Sequence, residues 1–493
     1  MTICQTGKKH FKKGGKHEKY FLLFLAVIKT LRHPTKKHLK NCTQRKERKQ
    51  KMNITQKSVE DIKKILVIGS GGREHSIIWK LRQDGFKGNI ICIPGNAGIS
   101  KIAKCIPLAI TRHQDILNIA NLVKNMSSET TLTIVGPEIP LALGIVDEFK
   151  KRNLLIFGPT KEATQIESSK AFCDTLMKEN KIPTGDFKIF TEYIEALNYS
   201  MSQKLPIVIK ADGLAAGKGV YICEVPDQIR QAINEIMLEK KHGDAGNKVI
   251  IKEYLTGEEA SFMAFVDGDF IMPIATSQDH KAINDGDKGL NTGGMGAYSP
   301  APIITYKIHS KIMDKIMYPI LQAMRKKGIV YKGILYAGII INGGEDVKVL
   351  EFNCRFGDPE IQPILMRMKS PLLPIILATI AGDLSGIKLK WKNESAVCVV
   401  ASSKGYPDHY ETGKIITGLN SADDDLNTEI FHAGTKIFGD KILTYGGRVL
   451  GATALGANLG KAIENSYDAM KKIHFDGMHY RKDIGKKGLL LEN

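Results

Sequence analysis

From Lys63 onward, short runs of Val, Ile and Leu alternate with longer stretches whose apolar residues recur at helical spacing. Lys64–Ile68, Asn89–Ile93, Leu132–Val135 and Leu154–Phe157 have the near-continuous apolar character of strands covered on both faces. Between them, Glu74–Gln83 and Asp115–Lys124 carry helix-compatible spacing. This pattern predicts a doubly wound parallel α/β sheet over roughly residues 63–160. A different texture begins near Glu167: strand-like runs at Ile207–Ala211, Val249–Leu255, Ser261–Val266, Ile334–Ile341 and Val347–Phe352, set among glycine-dense loops. The last part, from about residue 395, opens with the apolar run Ala396–Ala401 and holds a glycine-punctuated, hairpin-like segment, His432–Leu450. No internal repeat or low-complexity stretch follows residue 51. A chain of 493 residues with this alternation is expected to be an α/β and α+β multidomain protein.

The net charge of +19 changes little once it is mapped. Residues 1–51 hold 16 Lys/Arg against Glu18 and Glu47, so the body is nearly balanced. A basic stripe with interleaved aromatics, which nucleic-acid binding would require, is missing from the body. The basic tail reads in three ways: a secretory signal, an organellar transit peptide, or sequence that is not native coding, since Met52 precedes the first foldable segment. Its longest apolar run, Tyr20–Ile28, is too short for a membrane span. The eight cysteines form no C-x-x-C pair, which argues against structural zinc and fits a reducing compartment.

Candidate chemistry begins at the first strand, which runs into Gly69-Ser70-Gly71-Gly72-Arg73-Glu74-His75. Such glycines permit a tight turn and bring backbone N–H groups close to an anion at a helix N-terminus. A dinucleotide fingerprint would need glycine at Glu74, and an acid where Pro94-Gly95-Asn96-Ala97-Gly98 stands. A Rossmann oxidoreductase is thereby disfavoured. A small phosphorylated substrate, or a tight turn with no ligand, remains. Lys210–Val220 is one residue short of a Walker loop and has Gly219 in place of Ser or Thr, yet keeps the make-up of a phosphate cover. Val249–Glu259 supplies strand, linker and acid, as a nucleotide hinge requires. In Val349–Glu360, Glu351 and Asn353 project to one strand face and offer hard oxygens to Mg2+. Arg355 follows on that face and could clamp phosphoryl or carboxylate oxygens. An ordinary strand with a solvated polar face is the alternative.

The ordered motifs GSGGREH (69–75), PGNAG (94–98), GPE-x-PL (136–141), FGPTKEA (157–163), ESSKAF (167–172), KADGLAAGKGV (210–220), GEEASF (257–262), QDHK (278–281), NTGGMGAYSPAP (291–302) and EFNCRFGDPE (351–360) closely resemble the phosphoribosylamine–glycine ligase family of the ATP-grasp superfamily. The resemblance runs from about residue 63 to Gly485. It implies ATP-dependent ligation of glycine to 5-phosphoribosylamine, in purine biosynthesis, with Mg2+ or Mn2+. Lys170 and Lys210 would contact the ATP phosphates, and the loop holding Asp212, Gly213, Gly217, Lys218 and Gly219 would close over them. The backbone around Glu253 and Leu255 would read adenine, and Glu259 would hold the ribose. Glu351 and Asn353 would bind the metal. Arg355, Lys210 and Asp279 would be catalytic. Asn291, Gly293, Gly294 and Asp358 would line the substrate site, and Gly71, Gly72 and Glu74 would help hold the ribose phosphate.

The implied domains are an extension at 1–62, an N-terminal α/β domain at 63–165, an ATP-grasp domain at 166–392 with a mobile lid at about 184–256, and a mixed α/β domain at 393–493. Small-molecule substrates, no nucleic acid, no membrane, a cytoplasmic setting with organelle targeting left open, and a monomer or weak homodimer complete the expectation. Two departures stand out. Position 252 is lysine where many relatives carry an acid, and Leu335–Ile339 lacks the second magnesium-binding acid common elsewhere in the superfamily. Another ATP-grasp carboxylate–amine ligase, or a carboxylase, is the rival. Those share the nucleotide framework but not NTGGMGAYSPAP.

Overall fold

The computed structural model describes residues 58–126, 130–214, 219–343, 346–422 and 426–492. The readings of the 1–51 tail lie outside the described residues. Strands β1 (Lys64–Gly69), β2 (Asn89–Pro94), β3 (Lys104–Cys105), β4 (Thr131–Val135) and β5 (Leu155–Phe157) form one parallel sheet in the order β3-β2-β1-β4-β5. Helices α1 (Gly72–Gln83) and α2 (His113–Asn125) connect them. The order reverses between β1 and β4, and the glycine loop after β1 opens at that switch point, where α/β sheets take ligands.

A separate antiparallel sheet carries β6 (Phe187–Phe190), β7 (Ile207–Ala211), β8 (Val220–Cys223) and β9 (Val249–Glu253), in the order β6-β9-β7-β8. Ile207, Ile209, Ile233, Val249 and Ile251 belong to a core of its own. An independent core lets this unit shift as a body, which a lid requires. The expected strand Val249–Leu255 ends at Glu253, because the chain then leaves this sheet for the next one. There β10 (Glu258–Asp267), β11 (Ile271–Pro273), β16 (Lys332–Ile341) and β17 (Val347–Asn353) align as β11-β10-β16-β17.

The intervening β12 (Gln278–Asp279) and β15 (Gly296–Ser299) join β18 (Ser395–Ser402), β19 (Thr428–His432) and β22 (Arg448–Gly456) in a further sheet. Hydrogen bonding therefore runs across position 392–393, the domain boundary that the resemblance implied. Two hairpins, β13 (Ala282–Asn284) with β14 (Lys288–Asn291) and β20 (Thr435–Phe438) with β21 (Lys441–Thr444), complete the strands. Large cores unite the first sheet with β10, β16 and β17, through Leu66, Ile68, Phe262 and Phe352 on one side and Val67, Phe265 and Phe356 on the other. No helix among the described residues is long and apolar enough to cross a membrane.

The first and last parts of the chain meet at two buried histidines. His75 Nδ1 accepts from the His432 backbone N–H at 2.8 Å, and Asn96 Nδ2 donates to the carbonyls of Ser70 and His432, both at 2.8 Å. Trp79 packs edge-on against Phe431. Burial, the partner imidazole and Lys101 hold His75 well below its usual range, and burial with Lys101 pushes His432 down to about 4. Both are thus neutral when folded and must become charged to follow the unfolded chain in acid. The cost appears below the unfolded value near 6.5 and grows until the folded value is reached. His432 alone should lower stability by about 2 kcal/mol between pH 7 and 5. Urea midpoints at the two pH values check this, and His432→Gln should flatten the difference.

Candidate active site

Strand β17 organises the site. It pairs antiparallel with β16, Gly338 opposite Glu351 and Tyr336 opposite Asn353, with a bulge beside Gly338 that leaves Leu350 unpaired. A bulge re-aims the side chains after it. Leu350 instead turns its carbonyl to Lys210 Nζ at 3.3 Å. A Cβ on Gly338 would stand 3.4 Å from Glu351 Cγ, so the place of a second acid is taken by room beside the first. The Glu351 side chain is 36% exposed on the cleft floor, 3.6 Å from Lys281 Nζ. Burial would raise its pKa. Lys281 first, then Lys210, Lys170 and Arg355, outweigh that and hold it at about 2. Lys210 at the end of β7 is itself pushed down to about 8, chiefly by burial and then by Lys252.

Lys170 opens α4 (Lys170–Glu179), which follows α3 (Lys161–Ser168). Its Nζ donates to the Gly213 carbonyl at 3.1 Å. Asp212 accepts from Ser169 Oγ and Ala171 N–H, both at 3.0 Å, so its carboxylate caps the start of α4 and ties it to the end of β7. Gly219 lends its carbonyl to Ala211 N–H at 2.9 Å, while Gly217 and Lys218 lie outside the described residues. The Glu253 carboxylate accepts from Asp186 N–H at 3.1 Å and pairs with Lys348 at 3.3 Å. Glu259, on β10, pairs with Lys281 at 3.4 Å.

Arg355 lies between Glu167 at 3.1 Å and Glu138 at 3.4 Å, and donates to Asn353 Oδ1 at 3.0 Å. Its charge is thus neutralised from two sides, and its buried Nε has no hydrogen-bond partner among the described residues. Glu167 also accepts from Cys354 N–H at 2.7 Å, fixing the backbone between Asn353 and Arg355. Neither glutamate was singled out by spacing, although both sit inside recognised motifs.

On the far side, Asp358 accepts from Gln362 at 2.8 Å and faces Gly71, whose added Cβ would lie 3.0 Å away. Glu74 turns inward: its carboxylate accepts from Gly71 N–H and Arg73 Nε, each at 2.6 Å, and packs against Gly136. It holds the turn and does not present a carboxylate to an anion. Gly294, at φ +112°, could take no side chain without striking Pro359 and Asp279. Asp279 accepts from His280 N–H at 2.7 Å, and burial followed by Glu360 raises its pKa well above the usual range. Asn291 is exposed at the end of β14. Arg448, from β22, donates to the carbonyls of Gly293 at 2.6 Å and Asp358 at 2.5 Å, and pairs with the Asp358 carboxylate at 3.4 Å. The sequence showed no reactive cluster in the last part of the chain. Arg448 is its contribution, visible only as one basic residue among glycines.

Lys252, the lysine at the hinge, is buried against Asp174 at 2.5 Å, the side chains 3% and 5% exposed. The arrangement as a whole gathers cations around an accessible carboxylate, with the Gly71 turn, the Gly293–Gly294 loop and Arg448 alongside. That suits transfer of a phosphoryl group to a small acid.

Comparison with known proteins agrees. Three family models match: the phosphoribosylglycinamide synthetase N domain over 63–167, its ATP-grasp (A) domain over 168–361 and its C domain over 396–487. The chain is 46% identical over 428 residues to a protein of Pseudomonas aeruginosa named phosphoribosylamine–glycine ligase, covering 87% of this chain and 99% of that one. A Neisseria meningitidis protein of that name is 46% identical, with 86% and 99% covered. The crystal structure of phosphoribosylamine–glycine ligase from Thermotoga maritima superposes with a TM-score of 0.72 at 31% identity, covering 85% of this chain and all of that one. The Campylobacter jejuni biotin carboxylase, at 14% identity and a TM-score of 0.66, covering 88% of this chain and 95% of that one, shares the fold.

Removing one partner of a buried ion pair strands the other charge. Asp174→Ala should therefore cost about 3–5 kcal/mol of folding stability, and adding Lys252→Met should recover part of it. Urea unfolding of the single and double variants reads this out.

Proposed function

We propose that this chain, which belongs to the phosphoribosylglycinamide synthetase family, joins glycine to 5-phosphoribosylamine using ATP, giving glycinamide ribonucleotide, ADP and phosphate. The observation that carries this reading is the ionised, accessible Glu351 on a cleft floor into which Lys170, Lys210 and Lys281 converge. A carboxylate does not condense with an amine in water, because oxide would have to leave. Phosphorylation converts glycine to glycyl phosphate, and the amine then displaces phosphate.

ATP-grasp enzymes use ATP with divalent metal ions, and the residues here fit one. Glu351 Oε and Asn353 Oδ1 are hard oxygens on one face. Among the described residues no cluster of three or more His, Cys, Asp or Glu could cage an ion, so the nucleotide phosphates and water would complete its shell. When bound, Mg2+ or Mn2+ neutralises phosphate charge.

The protein's own groups do the rest. Lys170 and Lys210 hold the phosphates, and the backbone at Glu253–Leu255 reads the base. Glu259 accepts from the ribose hydroxyls. The Gly71–Gly72 turn offers N–H groups to the ribose phosphate. Arg355 holds Asn353 Oδ1 and is itself held between Glu138 and Glu167. The unit bearing β6–β9 closes to exclude water, which would hydrolyse the acyl phosphate. A cytoplasmic setting belongs to the same proposal.

Glu351→Ala should abolish ADP formation dependent on both co-substrates while the protein stays folded. Survival of turnover within about tenfold, a barrier change of only ~1.4 kcal/mol, would overturn the metal assignment. Phosphate release with ATP, glycine or freshly generated phosphoribosylamine omitted in turn tests the reaction. Bicarbonate replacing glycine would reveal a carboxylase instead.

A further inference from the structure

We propose that Arg481, near the C-terminal end of the chain, is a positioning residue for the substrate loop and acts through the β13–β14 hairpin. This rests on the reading above, in which Asn291, Gly293 and Gly294 line the substrate site.

The hairpin has little support from its own sheet. It consists of two strands, with no third paired to them among the described residues. Every residue from Asn284 to Asn291 is exposed. A two-stranded ribbon of this kind is marginal in water, so its position has to come from elsewhere. The position matters because the hairpin runs straight into the loop at 291–294. Ala282 pairs with Asn291, and Thr292 N–H and Thr292 Oγ1 both donate to the Lys281 carbonyl at 2.8 Å. Gly294 N–H donates to Thr292 Oγ1 at 2.9 Å, which carries that register to the glycine packed against Asp279.

Support comes from residues 479–487. His479 Nε2 donates to the Ile283 carbonyl at 2.9 Å, and Lys482 N–H to Asp285 Oδ1 at 2.8 Å. Asp483 Oδ2 accepts from Gly286 N–H at 2.8 Å, and Lys487 Nζ pairs with Asp287 at 2.6 Å. Arg481 lies at the centre of this set and is fully buried. Its Nε and Nη2 form a fork on the Asp483 carboxylate, both at 2.8 Å. Its Nη1 donates to the Ala282 carbonyl at 3.1 Å and to Asp287 Oδ1 at 2.9 Å.

This division of the guanidinium is what gives it a role beyond packing. Asp483 is two residues away on the same segment and stays with Arg481 whatever the hairpin does. The two bonds from Nη1 exist only while the hairpin is docked. A buried guanidinium stripped of two acceptors is costly, so moving the hairpin carries a penalty that its exposed strands could not impose. Ala282 stands at the base of the hairpin and Asp287 at its turn, so one side chain fixes both ends and hence the tilt. Lys487 extends the hold to Glu258 at 2.9 Å, next to Glu259. The influence of Arg481 on the loop is thus transmitted by the hairpin.

The test follows phosphate release by the full chain with Mg-ATP, glycine and freshly generated phosphoribosylamine, at a temperature where each variant is folded by circular dichroism. Arg481→Met should lower kcat about thirtyfold and raise the KM of glycine or phosphoribosylamine about tenfold, with the KM of Mg-ATP within about threefold. Arg481→Lys should recover part of both. Asp287→Asn keeps a residue that tolerates the left-handed turn conformation at φ +56° but removes the charge, and should shift the same constants to a smaller extent. Hydrogen exchange of the backbone amides at 283–291 should quicken about tenfold or more in Arg481→Met, while the amides of β16 and β17 keep the parent rates. A fall in kcat with every KM unchanged, the mark of a misfolded fraction, overturns the assignment. So does hairpin exchange that stays at the parent rate. If Arg481→Met does not fold, Arg481→Lys and Asp287→Asn decide by the same two readouts. The exchange measurement uses no substrate, so it reads the hairpin separately from the reaction. Parent-protein phosphate release that needs no glycine would sink the proposed reaction instead.

Discussion

The structure turns on keeping one carboxylate ionised in a recess where burial works against charge. Glu351 achieves this because cations arrive from four separate stretches of chain: Lys170 from a helix start, Lys210 from the end of β7, Lys281 from the substrate loop and Arg355 from beyond its own strand. Like charges so close repel, and the observed contacts show how that repulsion is contained. Lys170 and Lys210 rest on backbone carbonyls, Arg355 on two glutamates, and Lys281 on the very acids that a nucleotide complex would recruit. The cluster is nearly balanced when empty and left short of negative charge when its acids turn to other partners. A polyanion entering the cluster would meet that surplus of positive charge.

The same logic explains why the substrate side draws on distant parts of the chain. Asp358 follows β17, Gly71 follows β1, Gly294 lies before β15, and Arg448 begins β22. None could define a pocket by itself. Arg448 bonds the carbonyls of both the 293–294 loop and Asp358, and so sets the spacing between the two glycine-bearing segments. The last part of the chain thus bonds directly to these segments, and the His75–His432 contact anchors it beside the first glycine loop as well.

Much of this was legible in the sequence, and the limits have physical causes. Alternation placed Glu351 and Asn353 on one face of a strand, and continuous apolar runs placed β1, β2 and β4, because both are local patterns. Local pattern could not show that the Glu74 carboxylate caps its own turn, that Asp212 caps α4, or that Glu253 serves Asp186 and Lys348. An acid in a glycine-rich loop looks the same in sequence whether it faces a ligand or a neighbouring N–H. Glu138, Glu167 and Arg448 were passed over for a related reason: their roles come from partners more than 90 positions away or from a carboxylate approached across the cleft.

Lys252 shows how a departure from family pattern can be absorbed. A lysine at the start of the hinge places positive charge beside Lys210, and it depresses the Lys210 pKa second only to burial. Asp174, one helical turn into α4 from Lys170, meets that ammonium in the interior. The pair leaves the cleft without an extra exposed cation. The backbone after β9, to which the proposed reading gives recognition of the base, is held in course by the Glu253 N–H bond to Asp186. Peptide groups held this way keep their positions when the side chain at position 252 changes sign.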